Sequence, residues 1–306
     1  MFGKALVRDM ITRSSENESD RRVFLRSAGV AGLGVVGAGA AVTALAPSAS
    51  AAPGPSDGAI LNFALNLEYL EAEFYQVAAF GRTIPNKLTT GKGERGRVRG
   101  GRKVNFATPA IANYAREIAM DELDHVRFLR SALGSAKVAR PQIDLQRSFT
   151  AAAQAAGLIG AGDTFDPFAN EDNFLLAAFI FEDVGVTAYK GAAPLIDNKT
   201  FLDAAAGLLS VEAYHAGIVR TALYSKGLQD AARKISNARD SLDGKSDVDQ
   251  GIGTTRVANL TPTNAKGLTF SRTPGQTLNV VYLNPKSVSR GGFLPRGTNG
   301  TIKKSS

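Results

Sequence analysis

The sequence predicts an all-α protein: a four-helix bundle with one long crossover connection, followed by an extended C-terminal tail. Three observations carry that prediction. Four segments show the 3.6-residue apolar periodicity of core-facing helices, and each stripe is interrupted by a glutamate. The four fall into two copies of a helix pair. The only two histidines, His125 and His215, stand in one shared frame: MDELDHVRFLRSAL at Met120 to Leu133 and SVEAYHAGIVRTAL at Ser210 to Leu223 both read Glu, two residues, His, four residues, Arg, Ser or Thr, Ala, Leu. With 11 glutamates among 306 residues, chance would place one three positions before both histidines about once in 800 trials.

The N-terminal segment stands apart from the bundle. Asp20 to Arg26, DRRVFLR, precedes a weakly apolar Gly/Ala run from Ser27 to Ala46 and a small-residue Ala49-Ser50-Ala51 site, the order of an export signal. Arg21 and Arg22, followed by Phe24 and Leu25, resemble the twin-arginine signal, which is read by the twin-arginine export machinery and passes folded, often metal-loaded proteins across the bacterial inner membrane. The run is mostly Gly and Ala rather than Leu, Ile or Phe, which favours a cleaved signal over a transmembrane anchor. Residues 1–51 are therefore expected to direct export to a periplasmic or extracellular location, and 52–57 to be a linker.

Composition limits the chemistry. With 44% hydrophobic and 21% charged residues the chain has material for a sizeable core. Without residues 1–51 it carries 30 basic and 24 acidic residues, a net +6. Much of that excess lies in one Gly-rich stretch holding Lys87, Lys92, Arg95, Arg97, Arg99, Arg102 and Lys103. No aromatics are interleaved with these cations, so the stretch reads as a solvated loop and not a nucleic-acid surface. The absence of cysteine excludes disulfides, thiolate metal sites and cysteine nucleophiles, leaving oxygen and imidazole.

The bundle is expected over residues 58–227. Asp57 is a plausible N-cap for a first helix ending near Phe80, with Leu61, Leu65, Ala72, Tyr75 and Ala79 on its stripe and Glu68 at its middle. Thr108, Pro109 and Gly134 frame a second, whose stripe Ile111, Ala115, Ile118, Leu129, Ala132 includes Glu122 and His125. A third runs from Asn170 to Lys190, stopped by Gly191 and Pro194, with Glu182 central. A fourth begins near Asn198 or Thr200 and ends at Gly227, carrying Glu212 and His215. Tyr75 follows Glu68 by seven residues, as Tyr189 follows Glu182, so the first and third helices repeat each other as the second and fourth do. Residues 135–169 form the crossover, with room for one short helix at Phe149 to Leu158. Residues 228–306 are read as a peripheral helix, Leu228 to Leu242, and a tail that wraps the bundle, with strand-like or buried runs at Leu268 to Phe270 and Leu278 to Leu283 and a partly disordered end.

An ionised carboxylate on a core stripe is costly unless a partner replaces its lost hydration. A bundle brings Glu68, Glu122, Glu182, Glu212 and both imidazoles to one layer, where two divalent cations would neutralise four carboxylates; a metal-free polar network is the alternative. One Glu from each of two helices and Glu-x-x-His from each of the other two is the ligand pattern of di-iron and di-manganese bundles. Of the remaining candidates, Glu71 and Glu73 read as solvated or structural, Tyr75 and Tyr189 as packing, with a place near the metals and a part in electron transfer as the alternative, and Arg130 and Arg220 as partners of carboxylates such as Asp121 or Asp124 or as surface ion pairs.

The phrases ILNFALNLEYLEAEFY, IANYAREIAMDELDHVRFLRSALG, FIFEDVGVTAYKG and GGFLPRGTNG resemble the desiccation-related branch of the ferritin-like superfamily, over about Ala59 to Gly300. The resemblance implies Glu68 and Glu182 as terminal ligands, Glu122 and Glu212 as bridging ligands, and His125 and His215 as imidazole ligands of two Fe or Mn ions. It implies an oxidoreductase of stress defence acting on Fe(II), O2 or H2O2, or else a non-enzymatic protective protein. The loop and tail argue sterically against an iron-storing cage, while a smaller homo-oligomer stays open.

Overall fold

The structure, a computed structural model, describes residues 54–306; the export signal expected over 1–51 and the start of the linker lie outside the described residues. Seven α-helices occur among the described residues: α1 Asp57–Phe80, α2 Pro109–Leu133, α3 Arg147–Ala155, α4 Glu171–Ala192, α5 Lys199–Ser225, α6 Gln229–Asp240 and α7 Pro274–Val281. The bundle consists of α1, α2, α4 and α5, with α1 packed mainly on α2 and α4 mainly on α5, the two pairs expected from the repeat. No helix among the described residues is long and apolar enough to cross a membrane.

The helix ends follow local chemistry, with two departures from the expected signals. Ser56, not Asp57, caps α1 by accepting from the Ala59 amide at 3.3 Å. Asp57 is the first helical residue and accepts from the amides of Asp197 and Asn198, both at 2.9 Å, tying the α4–α5 turn to the start of α1. Gly191 does not stop α4 but lies inside it, because a Cβ there would sit 1.9 Å from the carbonyl oxygen of Arg272. Its role is close approach of the tail. Asn170 and Asn198 cap α4 and α5 as their residue types favour.

Every residue of α1 from Ile60 to Ala79 is buried, and every residue of α4 from Phe174 to Tyr189. A helix enclosed on all sides needs cover on all sides. The cover comes from outside the bundle. The loop between α1 and α2 and the crossover meet in a short parallel pair, β1 Val98–Arg99 and β2 Ile143–Asp144, and Arg140 of the crossover pairs with buried Glu73. The tail lays Phe293 against Phe149 and Phe181, ring centroids 4.9 Å away in each case. Asn299 exchanges two hydrogen bonds with Asn66, at 2.8 and 2.9 Å, and donates to the carbonyls of Glu94 and Ala139.

The tail follows its expected form in part. Residues Leu278 to Val281 are buried, as expected, but in a helix, because Thr273 and Gln276 form a capping box around Pro274 and nucleate α7. Leu268 is exposed. The end of the chain is packed rather than disordered: Ser305 is buried, and its amide donates to the Val288 carbonyl at 2.8 Å. A buried ladder of ion pairs fixes the whole wrap. Asp183 of α4 accepts from Arg220 of α5 and Arg239 of α6, at 2.6 and 2.9 Å; Asp249 accepts from Arg239 and Arg272, both at 2.6 Å; Asp243 closes the ladder on Arg272 at 2.6 Å.

Candidate metal centre

The four bundle helices bring all six sequence-predicted residues into one layer. Glu68, Glu122, Glu182 and Glu212 have no exposed surface, and His125 and His215 are 6% and 2% exposed. The three-residue spacing within α2 and within α5 puts each Glu and His on one face. His125 Nδ1 lies 3.2 Å from Glu68 Oε2, 3.6 Å from Glu122 Oε2 and 3.5 Å from Glu212 Oε1. His215 Nδ1 lies 3.0 Å from Glu122 Oε1 and 3.8 Å from Glu182 Oε2. The donors form two groups, Glu68, Glu122, His125, Glu212 and Glu122, Glu182, His215, each drawing its atoms within 4.8 Å of one another. Glu122 is common to both.

Burial without satisfaction is what distinguishes this cluster. Both oxygens of Glu122 and of Glu212, Oε2 of Glu182 and Nδ1 of His215 have no partner in hydrogen-bonding geometry, close as they lie to one another. Buried polar atoms are normally paired, and here they converge on common points instead, as donors to a cation do. An all-oxygen and imidazole set suits iron or manganese.

Proton affinities describe the same frustration. Burial pushes Glu68 up to about 8 against the lowering pull of His125, and raises Glu182 well above the carboxylate range although His215 opposes it. Burial and then Glu122 raise Glu212. Glu122 moves the other way: burial disfavours its charge, but the two adjacent histidines hold it below the ordinary range. Burial likewise works against charged imidazoles, yet the surrounding carboxylates, Glu68 foremost, raise His125, and Glu122 and Glu182 raise His215 to about 10. Proton affinity is raised at each of the six residues except Glu122, and ligands give up their protons when they bind a metal.

A second tier of residues orients the donors. Tyr75 of α1 donates to Glu182 Oε1, and Tyr189 of α4 donates to Glu68 Oε1. Both tyrosines are buried on their stripes, and their hydroxyls reach the donor layer, the alternative to simple packing. His215 Nε2 faces Asp121 Oδ2 at 3.1 Å, which leaves Nδ1 to point inward. At the repeat position of Asp121 the second copy has Val211, so His125 has no matching carboxylate.

Three other expectations are corrected. Arg130 and Arg220 are buried and reach neither Asp121 nor Asp124; they clamp the covering segments. Arg130 donates to the Tyr69 hydroxyl and the carbonyls of Thr90 and Lys87, and Arg220 to Asp183 and the carbonyls of Gln250, Gly251 and Asn259. Asp124 pairs with Arg127 on the surface. Glu71 is 5% exposed and not solvated; its three-residue offset from Glu68, the same spacing that joins each Glu to its His, was the available signal.

Fold and site together define a ferritin-like protein. The chain belongs to that family: the ferritin-like domain model matches residues 56–225. The chain is similar to desiccation-related protein PCC13-62 of Craterostigma plantagineum, 32% identical over 265 residues that cover 80% of this chain and 83% of that protein. It is also similar to ferritin-like catalase Nec2 of Nesocodon mauritianus, 28% identical over 267 residues, 80% of this chain and 84% of that one. No solved structure matches it.

Proposed function

We propose that this protein is a di-metal oxidoreductase, with Fe or Mn held by Glu68, Glu122, His125, Glu182, Glu212 and His215, and that its reaction is the dismutation of H2O2. The observation that carries this reading is the convergence of unsatisfied carboxylate oxygens and imidazole nitrogen in a fully buried layer. The similarity to a protein named a ferritin-like catalase supports peroxide over Fe(II) or O2 as substrate. Two redox-active ions at such a site supply the pair of electrons that peroxide chemistry exchanges.

The residues around them do the rest. Glu122, common to both donor groups, would be shared between the two ions, and Glu212 would hold one ion together with Glu68 and His125. Tyr75 and Tyr189 hold one oxygen of Glu182 and of Glu68, so that the other turns toward the imidazoles of His215 and His125. Asp121 fixes the tautomer and orientation of His215. Burial keeps bulk water from the layer, so a proton leaving peroxide is passed to a carboxylate and not to solvent.

The test is metal analysis of the purified protein with assays of oxygen release from H2O2 and of Fe(II) oxidation. Two metals per chain and oxygen release are expected, both lost in His125→Ala and His215→Ala; unchanged metal content in both variants would overturn the reading. A second reading, a non-enzymatic protective protein in which metal only ties the helices together, is favoured by the similarity to a desiccation-related protein. It requires Glu68→Ala to lower melting with no turnover to lose. We further propose export by the twin-arginine route, on the Arg21-Arg22 pair and the Ala-x-Ala site, with mass spectrometry of the exported N-terminus as the check.

A further inference from the structure

The two donor groups are unequal: four residues surround one point and three the other. Glu71 lies beside this deficit. It is 5% exposed, and no hydrogen bond or ion pair to it occurs among the described residues. Its position in the repeat, 114 residues on, is Gly185. A Cβ at Gly185 would sit 2.5 Å from Glu212 Oε2 and 3.4 Å from Glu71 Oε1, so both carboxylates reach into the space that this glycine leaves empty. Gly185 is one turn beyond Glu182 on α4 and so shares its face. Glu212 presents its other oxygen, Oε1, to His125 of the four-donor group.

Behind Glu71 the walls are apolar: Leu67, Ile180, Phe181, Val280 and Phe293 enclose a cavity of about 20 Å³, room for a single water or for movement of the carboxylate. Nothing on that side compensates a charge.

We propose that Glu71 is a seventh protein ligand, supplying to the ion at Glu122, Glu182 and His215 the oxygen donor that this group lacks, through the gap left by Gly185. The assignment rests on the metal-centre reading above. The two metal positions would then differ in their protein donors, and Glu71 would belong to the position that has three others. The exchange of a side chain for glycine at the matching position is the structural condition for it.

The test is a Mn(II) titration of the full chain by calorimetry and electron paramagnetic resonance. Wild type is expected to bind two ions. Glu71→Gln, close in shape but neutral, is expected to bind one of them at least about tenfold more weakly and to lose the coupled two-ion spectrum in proportion. Glu71→Asp, which withdraws the carboxylate by one methylene, is read the same way and stands in should Glu71→Gln not fold, as judged by circular dichroism. Two ions bound with unchanged affinities and spectrum in the folded variant overturn the assignment of Glu71 alone. A wild-type chain that binds no Mn(II) overturns the metal centre and this ligand with it.

Discussion

Tyr75 on α1 donates its hydroxyl hydrogen to Glu182 on α4. The reciprocal bond, Tyr189 to Glu68, runs from α4 back to α1, so each copy of the repeat orients a buried carboxylate of the other. Removing either hydroxyl strands a buried oxygen acceptor, which costs about 1–3 kcal/mol. Tyr75→Phe is therefore expected to lower the stability of metal-free protein by that amount in a denaturant titration, with the deficit narrowed by Mn(II), since a bound cation also satisfies the freed oxygen. Equal stability of the metal-free variant and parent would contradict the role given to the hydroxyl.

These bonds mark where the sequence was readable. Helix pairs, donor layer and crossover were legible because each leaves a local signal: periodicity, a cap, or a Glu three residues before a His. Tyr75 and Tyr189 were visible as repeat positions, but a hydroxyl directed at a carboxylate 107 residues away leaves none. The wrap of the tail was expected, but which of its residues enclose α1 and α4 was not legible, for the same reason. A stripe pattern reports one buried face, whereas the second face of these helices is covered by Phe293, Asn299 and Arg272, more than a hundred residues from α1 or well past α4. The burial of Glu71 was not legible either, because it lies off the apolar stripe of α1 and its cover comes from α4 and the tail.

The proton affinities predict how metal and pH act together. Glu68 rises from 4.5 to about 8 on folding, so the metal-free folded state holds more protons than the unfolded chain between those values, and stability falls as pH rises through them. His215 rises from 6.5 to about 10; its stabilising contribution is complete below 6.5 and is lost as pH climbs toward 10. Both shifts have the same sign. Metal replaces these protons, so the gain in Tm on adding saturating Mn(II) is expected to widen steadily from pH 5 to pH 8. A gain that stays flat or shrinks over that window would sink the account.

Asp121 distinguishes the two imidazoles, since only His215 has a carboxylate on its outer nitrogen. Asp121→Asn keeps the shape and removes the charge that favours a hydrogen on Nε2. Metal affinity at one of the two positions is expected to fall 10- to 100-fold, as for other outer partners of ligating histidines. The companion change Val211→Asp, which places a carboxylate at the repeat position, tests whether the asymmetry is a matter of residue identity. Calorimetric titration with Mn(II) reads both, and an unaltered isotherm for Asp121→Asn would remove Asp121 from the site.

Asp183 carries the link between bundle and tail, because it accepts from Arg220 and Arg239 at once in a ladder with three arginines and three aspartates. Asp183→Asn leaves one guanidinium charge in excess at a site where Arg220 is fully enclosed. Breaking a buried pair by removing one partner costs about 3–5 kcal/mol. The exposed Arg127 and Asp124 pair on α2 is the control, and Asp124→Asn is expected to change stability by no more than about 1 kcal/mol. The loss in Asp183→Asn should concentrate in residues 241–306, which Arg220, Arg239 and Arg272 hold to α4, so limited proteolysis is expected to cut there first while α1 and α2 stay intact. Simultaneous loss of tail and bundle would instead mean that the wrap and the four helices fold as one cooperative unit.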